Sequence, residues 1–219
     1  MEPIGQISGC EDAAVTQRPD VRRRHQDRSE ASRRRILEVA RQLLEERSFH
    51  ELSTEDVARG AELTRTAFYR HFADLEQLLL ALLDELGADL DLVADPWETG
   101  ADGDPTEQLR RALESLTQLF VTHGRLLRAL VDAASQYDEV ARRHAALAAG
   151  FSGSAAARIT LDIAAGRSQV TAPEDVAAAL VWMNERYLLD LFGQQPLGDP
   201  ERAARTLTEI WLRTVYGRS

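Results

Sequence analysis

From Thr64 to Phe72 the chain reads TRTAFYRHF, and these residue types suit non-covalent recognition better than bond-making. Two hydroxyls, two guanidiniums, a phenol and an imidazole fall within about three helical turns, and such groups meet the phosphate oxygens and base edges of duplex DNA. Phe68 and Phe72, four residues apart, share one face and supply the grip on a domain core. Arg65 and Thr66 are the candidates for reading bases. Thr64 stands where a helix N-cap belongs, so its hydroxyl goes to a backbone N–H, and a phosphate would be met by the amides at the helix start. For Tyr69 and His71 two readings stay open, contact with phosphate or base, and a role in capping or packing.

Bond-making chemistry finds no comparable constellation. HExxH, GxSxG, a P-loop and a glycine-rich dinucleotide fingerprint are all absent from the sequence. His25, His50, His71, His123 and His144 are scattered, and the single cysteine, Cys10, lies in a polar N-terminal stretch where no disulfide or thiolate cluster can form. Neither an enzyme nor a cofactor or metal is expected. The acidic residues sit mostly on polar helix faces, where solvation accounts for them.

The TRTAFYRHF segment needs two partners to position it. Upstream, Ser53 caps a short helix from Thr54 to Gly60 with Glu55 and Asp56 in its first turn and Val57 and Ala58 facing inward. The turn Ala61-Glu62-Leu63 then leads into a helix from Arg65 to His71, which is helix-turn-helix spacing. An earlier helix, capped by Ser29 or Ser32, carries Ile36, Val39, Ala40, Leu43 and Leu44 as one stripe, and Phe49 and Leu52 bring the chain back to the same core. Residues 1–28 lack apolar periodicity and end in RRRHQDR, predicting a disordered basic arm. Such an arm can add phosphate contacts or enter a minor groove, or it can be a solvated leader.

The net charge of −10 is unevenly distributed. From Arg18 to Phe72 there are 13 arginines against 10 acidic residues, whereas the rest of the chain has 13 arginines against 26. The basic balance therefore falls where DNA contact is expected. No apolar run approaches a membrane span and no secretory leader is visible, so a cytoplasmic location is expected without a membrane partner.

At the ending Tyr69-Arg70-His71-Phe72, with its upstream turn and threonine, the chain resembles the TetR family of transcriptional regulators from about Ser32 to Leu83. The resemblance implies an N-terminal helix-turn-helix domain over 29–73 and a ligand-binding and dimerisation domain over 74–219. Thr54, Thr64, Arg65, Thr66, Tyr69 and His71 are the candidate DNA-contacting residues. Two departures stand out. Glu62 occupies the turn position where the family usually has glycine, and Asp74-Leu75-Glu76 replaces the usual setting of a phosphate-binding lysine.

Beyond Phe72 the periodicity predicts a helix from Asp74 stopped at Asp95-Pro96, then a loop from Trp97 to Asp104. Five further helices follow. One starts at Asp104-Pro105, one spans about Gly124 to Ser135, one about Asp138 to Ala165, one opens with a Thr171–Glu174 capping box, and the last runs from Asp199-Pro200 to Tyr216. No strand pattern appears, so the fold class is all-α. The last two helices are apolar over more of their circumference than a surface helix requires. They predict either a single thick core or a homodimer through these two helices, and the half-sites that a helix-turn-helix reads favour the homodimer.

MNER at Met183 to Arg186, FGQQP from Phe192 and IWLRTVYG from Ile210 are similar to the branch of the family formed by the mycobacterial repressor of the ethionamide-activating monooxygenase and its actinobacterial relatives. That similarity implies a channel for an elongated hydrophobic small-molecule effector, with Asn184 as polar anchor and Leu109, Leu113, Leu116, Phe120, Phe151 and Trp211 in its walls. From the residues alone, Asn184 can equally be satisfied within the protein, and Phe151, Trp182 and Trp211 are core by default. The expected function is a repressor that binds a palindromic double-stranded DNA operator as a dimer and is released by the effector. The alternative is a helical carrier of hydrophobic ligands that does not bind DNA.

Overall fold

The computed structural model describes residues 18–98, 103–195 and 197–217, and these contain eight α-helices and one 3-10 turn, with no strand among the described residues. The helices are α1 (Arg18–Glu46), α2 (Thr54–Gly60), α3 (Arg65–Tyr69), α4 (Leu75–Glu98), α5 (Pro105–Ala133), α6 (Asp138–Ala164), α7 (Pro173–Phe192) and α8 (Pro200–Tyr216), with the 3-10 turn at Phe49–Glu51. No described helix is long and apolar enough to cross a membrane.

Helix α1 begins at Arg18, so residues 18–28, expected in a disordered arm, continue the first helix; residues 1–17 and Cys10 lie outside the described residues. The segment lacks an apolar stripe but is free of glycine, and its one proline, Pro19, falls in the first turn, where a fixed φ is tolerated. Ser32 is therefore interior, and its hydroxyl donates back to the Arg28 carbonyl at 3.0 Å. Ile36, Leu37, Ala40 and Leu44 on α1 are buried with Phe49, Val57, Phe68 and Phe72, which forms the small N-terminal core.

Helix α4 runs through Asp95-Pro96 to Glu98. Pro96 sits in the last turn, where it removes one hydrogen bond without breaking the helix, and the turn buries Trp97, expected in a loop. Helix α5 is one rod of 29 residues where a break at Gly124 was expected. Gly124 marks a close approach instead, since a Cβ there would lie 2.5 Å from the Phe192 carbonyl oxygen. The Thr171–Glu174 capping box does not form. Ala172 is the N-cap of α7, and no side chain caps the helix.

In the larger domain α5 is central, packing on α4, α7 and α8, while α6 lies along α7 and α4. Both α1 and the 3-10 turn also rest on α5. There Arg125 Nη2 donates to the Glu46 carbonyl at 3.1 Å, Gln136 Nε2 lies 3.0 Å from His50 Nδ1, and Phe49 meets Tyr137 edge-on with centroids 5.9 Å apart. A buried polar knot ties α6 to the ends of α4 and α8. Asp162 accepts from Arg158 at 3.2 Å, Arg167 at 2.6 Å and the Tyr216 hydroxyl at 2.6 Å, and Arg158 Nη1 donates to the Trp97 carbonyl at 2.9 Å.

Candidate functional site

Two local caps fix the helix-turn-helix. Ser53 Oγ accepts from Asp56 N at 3.1 Å to start α2, and Thr64 Oγ1 accepts from Ala67 N at 3.1 Å to start α3. Between them the Leu63 N–H bonds the Ala58 carbonyl and the Glu62 N–H bonds the Arg59 carbonyl, a Schellman closure that needs a left-handed residue at Glu62. Glu62 accordingly has φ of 57°, the one positive φ at a non-glycine among the described residues. Its carboxylate forms an exposed ion pair with Arg35 at 2.9 Å. Helix α3 ends at Tyr69, and Arg70 and His71 occupy the following turn instead of the helix expected there.

Thr64, Arg65, Thr66 and Tyr69 are all exposed, Tyr69 to 42%, and Phe68 and Phe72 are buried beneath them. Arg65 reaches forward one turn, its Nε and Nη2 donating to Tyr69 Oη at 3.3 and 3.2 Å. The Thr54 hydroxyl and then this guanidinium hold the phenol below its usual pKa. Thr54 on α2 and Arg65 and Tyr69 on α3 thus form one polar cluster, and the Thr66 hydroxyl has no hydrogen-bond partner among the described residues. His71 is half-buried, and burial, with Arg70 and Arg33 nearby, keeps its imidazole below the ordinary histidine value. Arg33 of α1 stands over the Phe72 ring at 5.0 Å, adding a cation beside this surface. The start of α4 is closed from within, Asp74 Oδ1 accepting from Gln77 N and Gln77 Oε1 from Ala73 N, both at 2.9 Å. Leu75 offers no charge there.

The second feature is an apolar cavity enclosing about 140 Å³ between α4, α5, α6, α7 and α8. It brings together all seven residues expected in the ligand domain: Leu109, Leu113, Leu116 and Phe120 from α5, Phe151 from α6, Asn184 from α7 and Trp211 from α8. Asn184 is 6% exposed and accepts at Oδ1 from Trp211 Nε1 at 3.0 Å, so its carbonyl is satisfied by the neighbouring wall. Its Nδ2 has no partner among the described residues, which leaves a donor at the cavity edge. Trp182, by contrast, is 45% exposed and takes no part in the wall.

Sequence reading did not single out Trp97, His144 or Glu185 as cavity residues, yet all three line it. Trp97 packs edge-on against Trp211 with centroids 5.6 Å apart. His144 Nε2 lies 3.0 Å from Glu185 Oε2, and that hydrogen bond outweighs burial in raising the imidazole above its ordinary value. The MNER string contained Glu185, but nothing local in the sequence linked it to a histidine 41 positions upstream.

Two stretches of the chain match known protein families. Residues 36–82 match the bacterial regulatory proteins of the tetR family, and residues 109–217 match the C-terminal domain of the transcriptional regulator EthR. The chain is 33% identical over 207 residues to the HTH-type transcriptional regulator EthR of Mycolicibacterium smegmatis, covering 94% of this chain and 95% of that protein. It is 33% identical over 187 residues to EthR of Mycobacterium tuberculosis, covering 84% and 87%. Among solved structures, Salmonella enterica GusR superposes with a TM-score of 0.70 at 20% identity over 84% of this chain and 95% of its own. NalD of Pseudomonas aeruginosa, the secondary repressor of the MexAB-OprM multidrug efflux pump, superposes with a TM-score of 0.68 at 23% identity over 86% and 98%. With a helix-turn-helix and a cavity-bearing helical domain matched in this order, the chain belongs to the TetR family of bacterial transcriptional regulators and carries a C-terminal domain of the EthR kind.

Proposed function

We propose that this regulator is a cytoplasmic repressor that binds a palindromic operator as a homodimer and leaves it when a hydrophobic effector fills the cavity. The observation that carries the reading is the coexistence, in one chain, of a Thr54–Arg65–Tyr69 cluster on the helix pair, with Arg65 and Tyr69 exposed, and an apolar cavity whose α5 wall also touches α1. A carrier of hydrophobic ligands needs the cavity but has no use for an exposed arginine-bearing recognition helix. In this reading Arg65 and Thr66 meet bases, while Tyr69, Thr54 and the helix start at Thr64 meet phosphates. His71, whose imidazole burial pushes toward the neutral form, offers one ring N–H. The exposed Trp182 on α7 supports a homodimer through α7 and α8, because a large indole left in water is stabilised by a partner surface.

The unpartnered Nδ2 of Asn184 favours an effector with a carbonyl acceptor. Binding to the protein's own upstream DNA, measured across salt concentrations, tests the DNA half. Arg65→Ala is expected to cost about tenfold or more in operator affinity and Tyr69→Phe less. Affinity indifferent to sequence and to both substitutions would sink it. Thermal stabilisation by apolar amides and esters, reduced in Asn184→Ala and Trp211→Ala, tests the effector half. Sedimentation of the free protein as a monomer at micromolar concentration would remove the dimer.

A further inference from the structure

The wall of the cavity is not uniformly apolar. Three polar side chains line it, His144, Asn184 and Glu185, and all come from α6 and α7; no arginine lines it among the described residues. Asn184 is committed at its carbonyl to Trp211. Glu185 has one hydrogen-bond partner among the described residues, His144, through a single carboxylate oxygen. The nearby charges are engaged elsewhere, Arg143 of α6 with Asp84 of α4 at 2.7 Å and Arg186 of α7 with Asp190 at 3.1 Å. An anionic head group entering this space would face a carboxylate with no arginine to meet it. A cationic one would meet a carboxylate whose present partner is an imidazole that can give up its proton.

We propose that the cavity sorts hydrophobic ligands by charge, admitting a cationic amphiphile whose ammonium is received by Glu185 and excluding the carboxylate of the same length. The inference rests on the cavity being the effector site. The apolar tail lies against the α5 leucines and Phe120, where burial of each methylene supplies the bulk affinity. The ammonium donates to the Glu185 carboxylate in place of the His144 N–H, and the displaced imidazole proton leaves to solvent. The net charge inside the cavity is unchanged, because the ammonium takes the place of the imidazolium whose proton has left, so it enters without an uncompensated buried charge. Proton release makes the affinity for the amine rise with pH, whereas a neutral ligand takes and releases no proton.

Octylamine, octanol and octanoate, titrated against the full-length protein with quenching of Trp97 and Trp211 or heat as readout, separate the possibilities. The amine is expected to bind about tenfold more tightly than octanoate, and its affinity to rise between about pH 6 and about pH 8 while that of octanol stays level. In Glu185→Gln the advantage of the amine disappears and octanol binding is retained, which also reports that the variant is folded. In His144→Gln the carboxylate loses its cationic partner and the preference for the amine persists without the pH dependence. Octanol binding with no preference for the amine over octanoate would overturn the charge assignment alone, as would an equal loss of all three ligands in Glu185→Gln. Failure of all three to bind wild type would overturn the cavity reading with it.

Discussion

At the scale of single residues, the departure at Glu62 has a measurable consequence. The closure between α2 and α3 places this side chain at φ of 57°, where a Cβ crowds the following carbonyl and glycine is relieved of the cost. The ion pair with Arg35 offsets little of it, because both partners are exposed and water screens them. Glu62→Gly is therefore expected to stabilise the protein by about 0.5 to 1 kcal/mol, the strain relieved exceeding the added freedom of the unfolded chain. Urea denaturation followed by circular dichroism measures it, and a destabilised variant would show that the Arg35 contact dominates. This residue also shows what is legible locally. Ser53, Thr64 and the glycine-like demand at Glu62 are set by neighbours within six positions, so the helix pair could be read from types and spacing. Asn184 could be placed by resemblance, but its bond to Trp211 spans 27 positions and was not legible. The His144–Glu185 contact spans 41 and left no trace in any local pattern.

At the scale of elements, the sequence misled where a local breaker was overruled by packing. Gly124 reads as the start of a separate helix and instead lets the unbroken α5 approach the end of α7, and Pro96 reads as a stop but lies within the last turn of α4, which buries Trp97. The end of α4 at Trp97 also meets the Asp162 knot, which joins α6 to α8 through Tyr216 and to α4 through Arg158. Burial alone would raise the carboxyl of Asp162, yet bonds from Tyr216, Arg167 and Arg158 outweigh it and hold the pKa below the usual value, while burial and Asp162 push the Tyr216 phenol up to about 12. Because the folded-state pKa of Asp162 is depressed, its contribution to stability is fully present above the unfolded value of about 3.9. It is lost as pH falls below that value and through the folded one. Asp162→Ala leaves Arg158 buried without its carboxylate and is expected to cost about 3 to 5 kcal/mol at neutral pH. As pH is lowered through about 4 and below, the gap between variant and wild type should narrow in denaturation experiments. A gap independent of pH would assign the loss to packing.

At the scale of the whole molecule, α5 is the element that links the cavity to α1, the helix that braces the helix pair. One face carries Leu109, Leu113, Leu116 and Phe120 into the cavity, and farther along the same rod Arg125 caps the final carbonyl of α1 at Glu46. Helix α4 offers a second link, through Leu83, Leu86 and Leu90 in the cavity wall and the Arg41–Glu85 ion pair to α1 at 2.9 Å. If effector and operator favour different settings of these two links, the factor by which the effector weakens operator binding must equal the factor by which the operator weakens effector binding. A ligand that fitted both settings equally would change nothing. Coupling of this kind is typically 1 to 3 kcal/mol, or roughly 5- to 150-fold. Arg125→Ala removes one of the α5 holds on α1 but touches neither the cavity nor α3. It is expected to leave effector affinity of the free protein within about twofold and operator affinity nearly intact, while lowering the coupling factor several-fold. Titrating effector with and without operator, and operator with and without effector, gives the factor twice by independent routes. Agreement of the two values with an unchanged factor in Arg125→Ala would move the transmission to the contacts that remain on α1, the His123–Glu45 pair from α5 at 3.9 Å and the Arg41–Glu85 pair from α4.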